Sequence, residues 1–487
     1  MSGRGRTPSM GKGDRDMIDK ELAARIESYI ADHREAIKED LKTLVRIPSV
    51  SKRGEDGLPF GAGCAKVLGK AVAMAGEKGL DAVNHDNWYG TVCWGRGDKT
   101  IGIFAHLDVV PEGNNWKYSP YNPVEKDGYL IGRGVADNKN AAVAGMYVMQ
   151  CLKDLGIPLQ SRISLYLGVS EETGMEDIEK YVEEQPMPDF SIVPDTDFPV
   201  CHGEKGIMNT HAVCRTPFVK IKSFAGGLVG NMVADLAKAE LEMDPSLLEE
   251  LTKLSEKHER IRVEHTGDSI QVTATGVAAH ASRPQGSVNA ILELAKFLRG
   301  SLCLPREDRA AMAFVADTLS DDYGQKIGIA RSDAPSGKLT CISGVAQTVE
   351  GRLLLKFDIR YPVTAKGEEV SAAMAPYFAK ADWDFVLERD SAPAYIPKDD
   401  PKVLELCRIY SEVTGKDSTP YVMGGGTYSR HLKNAIGFGM EDTEHNPFPA
   451  GHGGVHQPDE AMSIQGILDA IKIYILSVIE IDKLLHK

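Results

Sequence analysis

Residues that could bind divalent metal ions occur in five short motifs spread along the chain. They are His106 in "FAHLDVVP", Asp137 in "GRGVADNKN", Glu172 in "SEETG", Asp195 in "VPDTDFP" and a histidine in "GHGGVHQPDE". Two imidazoles and three carboxylates match the nitrogen and oxygen coordination of zinc, and manganese or cobalt would accept the same ligands. A single tetrahedral ion has too few positions for five ligands, whereas two ions that share one carboxylate would use them all. The sequence therefore predicts two divalent metal ions per chain, with zinc favoured.

The adjacent glutamates Glu171 and Glu172 need an explanation of their own. They follow a run in which Ile163, Leu165 and Leu167 alternate with other residues, as in a strand with one buried face. Neighbouring carboxylates repel each other and resist burial. Because a metal ion compensates such charge, the pair supports a metal site at the end of this strand.

Each motif also has an ordinary structural explanation. A histidine at a strand end, such as His106, is commonly a hydrogen-bonded structural residue. Asp137 could cap the following helix, and Asp195 could form a turn. The paired glutamates could complement a helix dipole. The metal hypothesis is favoured because all these residues lie at successive strand ends of one domain.

The elements that must position these residues alternate between strand and helix. Strands are predicted at "TIGIFAHLDVV", "SRISLYLGVS" and "DFSIVPDTD", and helices at "NAAVAGMYVMQCLKDLG" and "MEDIEKYVEEQ". An amphipathic helix is also predicted from about Lys20 to Arg46. This order is typical of an α/β domain with parallel strands, in which ligands bind beyond the carboxyl ends of the strands.

The pattern changes after about Gly206. Alternating segments such as "RIRVEHTGDSIQVTATG" predict antiparallel strands of a separate α+β domain, and "SAPAYIPKDDP" predicts a linker. The predicted organisation is a disordered tail over 1–18, a catalytic domain over 19–206 and 395–487, and an inserted domain over 207–394.

Bulk composition argues against several classes of partner. The chain has 487 residues and a formal net charge of −14, whereas nucleic acids and anionic membranes select surfaces rich in Lys and Arg. Its eight cysteines form no C-x-x-C pair and are expected to be reduced thiols. The N-terminal segment lacks the apolar centre of a signal peptide. We expect a cytoplasmic protein that binds neither nucleic acid nor membrane.

Six motifs occur in the order found in the dinuclear zinc exopeptidases, and the chain resembles that family. They are "AHLDVVP", "GRGVADNK", "SEETG", "PDTDFP", "GVAAHASRPQGSVNAI" and "HQPDE". The family includes carnosinases, glutamate carboxypeptidases, aminoacylases and succinyl-diaminopimelate desuccinylases. "GGLVGNMVAD", "FPVCHGEKG" and "GGGTYSR" are most similar to bacterial PepV-type dipeptidases, which act on Xaa-His or beta-Ala-Xaa. The resemblance implies an α/β catalytic domain with a central mixed, largely parallel sheet, and an inserted α+β lid domain.

The resemblance also implies which residue binds which ion. Asp137 would bridge the two metal ions. His106 and Asp195 would complete the ligands of one ion, and Glu172 and His456 those of the other. His456 is preferred over His445 and His452 because the family's ligand histidine precedes a segment like "QPDE", and His452 is the alternative.

The remaining roles come from the same resemblance. Asp108 would orient the imidazole of His106, and Glu171 would act as general base. In the inserted domain, His280 would donate to the carbonyl oxygen of the substrate. The other substrate-binding residues would be Asn231, Arg360, Gly425 and Gly426, although the glycines could equally form a simple tight turn.

The expected function is hydrolysis of dipeptides by a metallo-dipeptidase that acts as a monomer, with a homodimer as the alternative. An N-acyl-amino-acid amidohydrolase or a carboxypeptidase would share the metal site and Glu171 but differ in the lid. A non-catalytic homologue that binds peptides is a third hypothesis, and the loss of a ligand or of Glu171 would support it. No such loss occurs in the sequence.

Overall fold

The computed structural model describes residues 19–54, 57–441 and 447–487 of the chain. The tail predicted over 1–18 and the candidate His445 lie outside the described residues. The chain divides into two compact units. The first comprises Met1–Val200, Lys398–Pro420 and His431–Lys487, and the second comprises Cys201–Pro397 and Tyr421–Arg430.

Helices occur in both units, and α6 to α9 belong to the second. Within the described residues they are α1 (Lys20–Asp32), α2 (Arg34–Val45), α3 (Gly61–Glu77), α4 (Lys139–Asp154), α5 (Glu176–Glu184), α6 (Pro245–Ser255), α7 (Ala290–Arg299), α8 (Arg306–Thr318), α9 (Gly367–Lys380), α10 (Pro401–Thr414) and α11 (Ile464–Leu485). The single helix predicted from Lys20 to Arg46 is therefore wrong. It is interrupted at His33, whose Nδ1 lies 2.8 Å from the carbonyl oxygen of Tyr29.

Strands occur throughout the chain, and β9 to β21 belong to the second unit. The described strands are β1 (Asp81–His85), β2 (Tyr89–Trp94), β3 (Thr100–His106), β4 (Val124–Lys126), β5 (Tyr129–Ile131), β6 (Arg162–Gly168), β7 (Phe190–Val193), β8 (Thr196–Asp197), β9 (Cys201–Glu204), β10 (Gly206–Cys214), β11 (Ile221–Gly226), β12 (Leu236–Glu242), β13 (Ile261–Thr266), β14 (Ser269–Thr275), β15 (Ser332–Asp333), β16 (Gly337–Lys338), β17 (Thr340–Val349), β18 (Arg352–Tyr361), β19 (Trp383–Ser391), β20 (Ala394–Tyr395), β21 (Tyr421–Met423), β22 (Ala435–Gly437), β23 (Met440–Glu441) and β24 (Ala461–Ser463).

The main sheet of the first unit has the strand order β1-β2-β6-β3-β7-β22. β6, β3, β7 and β22 are parallel neighbours, whereas β1 and β2 form an antiparallel edge. Ile103, Leu165 and Ile192 of the parallel strands are buried, as strands covered on both faces require. The predicted mixed, largely parallel sheet is confirmed.

This topology decides where the candidate ligands lie. β3, β6 and β7 are parallel neighbours, so their carboxyl ends meet at one edge of the sheet. His106 ends β3, the paired glutamates follow β6, and Asp195 follows β7. Side chains that are distant in the sequence are therefore brought to one place.

The second unit contains an antiparallel sheet in the order β13-β14-β12-β11-β17-β18-β10-β19. Its core includes Phe224, Val272 and Leu355 from the strands, with Ile291 and Met312 from α7 and α8. The segment Tyr421–Arg430 also belongs to this unit, whereas the sequence prediction placed it in the catalytic domain. The physical reason is that β21 pairs in parallel with β9. Among the described helices, none is long and apolar enough to cross a membrane.

Candidate active site

His106 is a buried imidazole surrounded by carboxylates. Its Nε2 lies 2.9 Å from Oδ1 of Asp137 and 3.7 Å from Oδ1 of Asp195. Its Nδ1 lies 3.0 Å from the carbonyl oxygen of Asp108 and 3.4 Å from Oδ1 of the same residue. Contacts to Nδ1 leave Nε2 directed at the two other carboxylates, which is how a metal-binding histidine is usually oriented.

Asp137 lies between two imidazoles. Its Oδ1 faces His106, and its Oδ2 lies 2.9 Å from Nε2 of His456. Burial alone would raise the pKa of Asp137. Hydrogen bonds and attraction from the two histidines outweigh burial and hold that pKa well below its ordinary value. Asp137 therefore presents one charged oxygen towards each histidine, as a shared ligand requires.

Glu171 and Glu172 lie in a short 3-10 turn, Glu171–Thr173, just beyond β6. Asp108 holds this turn, because its two carboxylate oxygens accept hydrogen bonds from the backbone N–H groups of Glu171 and Glu172 at 3.2 and 3.1 Å. Oε1 of Glu172 lies 3.1 Å from Nε2 of His456. The same Asp108 that contacts His106 thus also fixes the backbone of both glutamates.

Asp177 holds the two residues that lie between β6 and the paired glutamates. Its Oδ2 accepts hydrogen bonds from the backbone N–H groups of Val169 and Ser170 at 2.6 and 2.9 Å. Four successive backbone amides, from residue 169 to residue 172, therefore donate to buried carboxylates. A backbone held at each residue restricts the directions in which the two glutamate side chains can leave it.

Asp195 is held near His106 by the amide of Asn138. The Nδ2 of Asn138 donates to the carbonyl oxygen of Pro194 at 2.6 Å and to Oδ1 of Asp195 at 3.2 Å. The Oδ1 of Asn138 accepts a hydrogen bond from the backbone N–H of His106 at 3.3 Å. One buried amide therefore links the ends of β3 and β7.

The electrostatics of the cluster indicate a deficit of positive charge. Burial, reinforced by Asp195, raises the pKa of Glu171 well above its ordinary value, and burial with repulsion from Asp137 raises that of Glu172 to about 7. Burial opposes protonation of His456, but the neighbouring carboxylates prevail and raise its pKa to about 11. The raised pKa values of Glu171, Glu172 and His456 mean that these groups hold protons more tightly, which offsets part of the negative charge of the cluster. Divalent cations would remove the imbalance, and the donor set fits them.

Among the residues that the structure describes, two groups of ligand atoms lie close enough to hold metal ions. The atoms of each group lie within 4.8 Å of one another, and the groups are His106 with Asp137 and Glu172, and His106 with Glu171 and Asp195. Both groups contain His106. The second group brings Glu171, predicted as the general base, beside two predicted ligands.

Of the two candidate histidines that the structure describes, His456 is the one brought to Asp137 and Glu172. His452 lies elsewhere, with its Nδ1 2.8 Å from Oδ2 of Asp459. The carboxylate of Asp459 also accepts hydrogen bonds from the backbone N–H groups of Lys117 and Tyr118. In the described part of the chain, the geometry thus gives the two histidines different surroundings.

Sequence reasoning missed four residues that surround this site. Asn138 and Asp177 hold segments that carry proposed ligands. Glu460 is a buried carboxylate bonded to the backbone of Asp137, and Glu441 is a partly buried acid whose pKa is raised by burial and by Asp137. The sequence signal for Asn138 was its position directly after a proposed ligand. The sequence signal for Glu460 was its position at the end of "QPDE", the motif that distinguishes His456.

The substrate-binding residues predicted in the second unit lie in one cluster. Nη1 of Arg360 donates to the carbonyl oxygen of Gly424 at 2.7 Å, and its Nε and Nη2 contact Asp358 at 2.5 and 2.9 Å. Three of the five guanidinium N–H donors are therefore occupied, so the whole fork is not free for a substrate. The backbone N–H of Ala281 donates to the carbonyl oxygen of Asn231 at 2.8 Å, which brings Asn231 beside the segment of His280.

His280 is a half-buried histidine of the same cluster. Its Nδ1 lies 2.7 Å from Oγ of Ser282, which packs directly against Gly424. Burial and the charge of Arg360 lower the pKa of His280, and Asp358 opposes that shift only in part. His280 is therefore expected to be neutral at neutral pH.

The glycine run is held by a second arginine. Nη2 of Arg430 donates to the carbonyl oxygen of Gly425 at 3.2 Å and lies 3.2 Å from Oε2 of Glu204. The carbonyl oxygens of Gly424 and Gly425 therefore point towards Arg360 and Arg430. Because a trans peptide group places its N–H opposite its carbonyl, the N–H groups of Gly425 and Gly426 point the other way.

The fold and the donor set together define a class of protein, the metal-dependent hydrolases built on a mixed α/β sheet. Residues 102–480 match the model of peptidase family M20/M25/M40. The chain belongs to this family and is a peptidase, as the resemblance of its motifs had implied.

Similar proteins agree with this assignment. The chain is 29% identical over 472 residues to "Putative dipeptidase YtjP" of Bacillus subtilis (strain 168), which covers 94% of this chain and 99% of that protein. It is also 29% identical over 462 residues to the Beta-Ala-Xaa dipeptidase of Lactobacillus delbrueckii subsp. lactis, covering 92% of this chain and 97% of that protein. The solved structure of human carnosine dipeptidase 1 matches 95% of this chain and 99% of its own, with a TM-score of 0.57 at 16% identity, which shows a shared fold.

Proposed function

We propose that the protein is a dipeptidase that uses two divalent metal ions, with Glu171 as the general base. The observation that carries this proposal is that Asp137 presents one oxygen to His106 and the other to His456. Asp195 lies near the first histidine, and Glu172 lies near the second. A relative named Beta-Ala-Xaa dipeptidase, similar over nearly the whole chain, supports dipeptides as the substrate class.

The residues that would hold the ions divide into two sets that share Asp137. His106 and Asp195 would complete one set, and Glu172 and His456 the other. Zinc suits these imidazole and carboxylate ligands best, with manganese or cobalt as alternatives. When bound, such ions lower the pKa of a water molecule to about 7 and polarise the carbonyl group that it attacks.

Glu171 would move the proton of the reaction. Its carboxylate accepts a proton from the attacking water as the new carbon–oxygen bond forms. It then donates that proton to the amine nitrogen as the carbon–nitrogen bond breaks. The hydrogen bond from the backbone N–H of Glu171 to Asp108 suits this role, because a base must stay within hydrogen-bond reach of the proton that it transfers.

The cluster in the second unit would recognise the substrate. The two remaining donors of Arg360 would bind the substrate carboxylate. The N–H groups of Gly425 and Gly426, which point away from Arg360, would bind another oxygen of the substrate. His280 would donate a hydrogen bond to the carbonyl oxygen, and Asn231 would bind the substrate beside it.

We also propose a cytoplasmic monomer. The eight cysteines carry thiols rather than disulfides, which is the state expected in a reducing compartment. Size-exclusion chromatography with light scattering would test the monomer, and a mass of twice 53.0 kDa would contradict it.

The test of the function is amine release from dipeptides, tripeptides and N-acetyl amino acids. The protein is stripped with a chelator and resupplied with zinc, manganese or cobalt in separate reactions. We expect metal-restored cleavage confined to dipeptides. Cleavage mainly of N-acetyl amino acids would keep the metal site but contradict the proposed substrate class. No cleavage with any metal would contradict the enzymatic proposal.

A further inference from the structure

Glu460 is a buried carboxylate that binds the backbone of the Asp137 segment. Its Oε1 accepts hydrogen bonds from the N–H groups of Gly134, Ala136 and Asp137 at 3.0, 2.9 and 3.1 Å. Its side chain is fully buried. One oxygen atom therefore collects three backbone donors, the last of which belongs to the proposed bridging ligand itself.

The other oxygen of Glu460 binds an equally buried arginine. Oε2 lies 2.6 Å from Nη1 of Arg133, and that side chain is only 1% exposed. Nη2 of Arg133 lies near the carbonyl oxygens of Pro111 and Glu112, at 3.5 and 3.4 Å, and the guanidinium lies 5.2 Å from the ring centre of Trp116. Arg133 thus ties Glu460 to the segment that follows β3 and His106.

Glu460 is also four residues from His456 on the same segment. The backbone N–H of Gly132 donates to the carbonyl oxygen of Glu460 at 2.9 Å, so the two segments are joined by main chain and side chain together. His456 and Asp137 come from these two segments and meet at 2.9 Å. The distance between two proposed ligands therefore depends on how firmly the segments are joined.

We propose that Glu460, held by Arg133, is a positioning residue that sets the place of Asp137 relative to His456. The "GRG" stretch thereby has a function, because its arginine holds Glu460 and its second glycine supplies one of the three donors. This inference rests on the proposed two-metal function. It concerns groups outside the set of ligands and outside the groups that touch substrate.

The substitution Glu460→Gln tests this role sharply. Gln has nearly the same shape, but one carboxylate oxygen becomes an amide that only donates. If that amide faces the backbone, it opposes three N–H donors, and if it faces Arg133, it opposes a guanidinium. In the first arrangement the Asp137 segment loses its acceptor and must move. In the second, the three backbone contacts remain, but Arg133 loses its acceptor and no longer holds residue 460.

The matched control is Asp308→Asn in the second unit. Asp308 is also fully buried, and its carboxylate accepts hydrogen bonds from the backbone N–H groups of Val219, Lys220 and Ile221. Asp308 therefore makes the same kind of contact as Glu460, but its backbone donors do not belong to a proposed metal ligand. Arg133→Lys is a milder second variant, since it keeps the charge and leaves the three backbone contacts to Glu460 intact.

The measurement is Co²⁺ binding to chelator-stripped protein, followed by visible absorption, with urea unfolding of the same stripped samples. We expect E460Q to lose about 10- to 100-fold in Co²⁺ affinity and to change the absorption bands, as loss of a group that orients ligands does. R133K should lose less. D308N should lower the urea midpoint while its affinity and spectrum stay those of wild type.

Two results would overturn the inference. One is E460Q with wild-type Co²⁺ affinity and spectrum, and the other is an equal loss of affinity in D308N, which would mean that destabilisation alone weakens binding. Wild-type protein that binds no Co²⁺ would overturn the proposed function and the inference with it. That outcome is distinguishable because it appears before any variant is compared.

Discussion

The Nε2 of His456 lies 2.9 Å from Oδ2 of Asp137, although more than 300 residues separate the two in the sequence. The contact joins the segment between β5 and α4 to the segment before β24. The geometry also separates His456 from His452, which contacts Asp459 instead. Two histidines four residues apart are therefore expected to respond differently to substitution.

His456→Ala should weaken metal binding far more than His452→Ala. Removing His456 takes a nitrogen away from Asp137 and Glu172, whereas removing His452 leaves that contact intact. We expect one of the two Co²⁺ equivalents to be lost in H456A and both to be retained in H452A. Titration of stripped protein with Co²⁺ measures this directly, and two full equivalents in H456A would contradict the assignment.

Glu171→Gln should abolish most of the catalysis while leaving the metal in place. A general base typically contributes about 10²- to 10⁴-fold to the rate. We expect kcat to fall by about that factor, with metal content close to that of wild type. Metal analysis of the same E171Q sample provides the control. A variant that loses metal in proportion to activity would show that Glu171 serves mainly as a ligand.

Much of the first unit could be predicted from the sequence, because the patterns that indicate its strands and candidate ligands are local. Strand ends are visible as apolar runs that stop at polar residues, and His106, the paired glutamates and Asp195 all stand at such ends. The parallel arrangement then brings them to one edge. No local signal distinguishes His456 from His445 and His452, so His456 could be singled out only by resemblance.

The supporting residues could not be predicted, because their roles depend on partners far along the chain. Glu460 binds amides more than 300 positions away, and no periodicity records that pairing. For Arg360 the sequence does not show how many of its donors are available. Asp358, two residues away on the same strand, occupies part of the guanidinium fork.

Asp177→Asn should lower both stability and activity. Its Oδ2 accepts the N–H groups of Val169 and Ser170, and an amide nitrogen in that place would leave two buried donors unsatisfied. A buried unsatisfied group costs about 1–3 kcal/mol. We expect a lower urea midpoint together with a reduced kcat. Glu250→Gln, which alters another carboxylate that accepts backbone N–H groups, should lower the midpoint but leave kcat unchanged.

His280 should make folding stability depend on pH in a defined direction. Burial and the nearby Arg360 lower its pKa in the folded protein, so the unfolded chain binds the proton more readily. The contribution of neutral His280 to the free energy of unfolding is fully present above the unfolded pKa of about 6.5. It is lost as the pH falls below that value.

Urea midpoints at pH 5 and pH 7 check this expectation in wild type and in His280→Gln. The midpoint of wild type should fall between pH 7 and pH 5 by more than that of H280Q. His265→Gln, at an exposed site, is the control and should behave as wild type. Equal pH dependence in wild type and H280Q would contradict the prediction.

Arg360→Lys should weaken recognition of the substrate carboxylate. Lysine keeps the charge but lacks the second donor nitrogen of a fork. Hydrogen bonds to charged groups contribute about 1.5–3 kcal/mol, so we expect KM for a dipeptide to rise by roughly 10- to 150-fold. The matched substrate is the same dipeptide with a C-terminal amide, for which wild type and R360K should have similar KM values. If R360K raises KM equally for the acid and the amide, Arg360 acts through Asp358 and Gly424 on the shape of the cluster, and the proposed carboxylate contact is wrong.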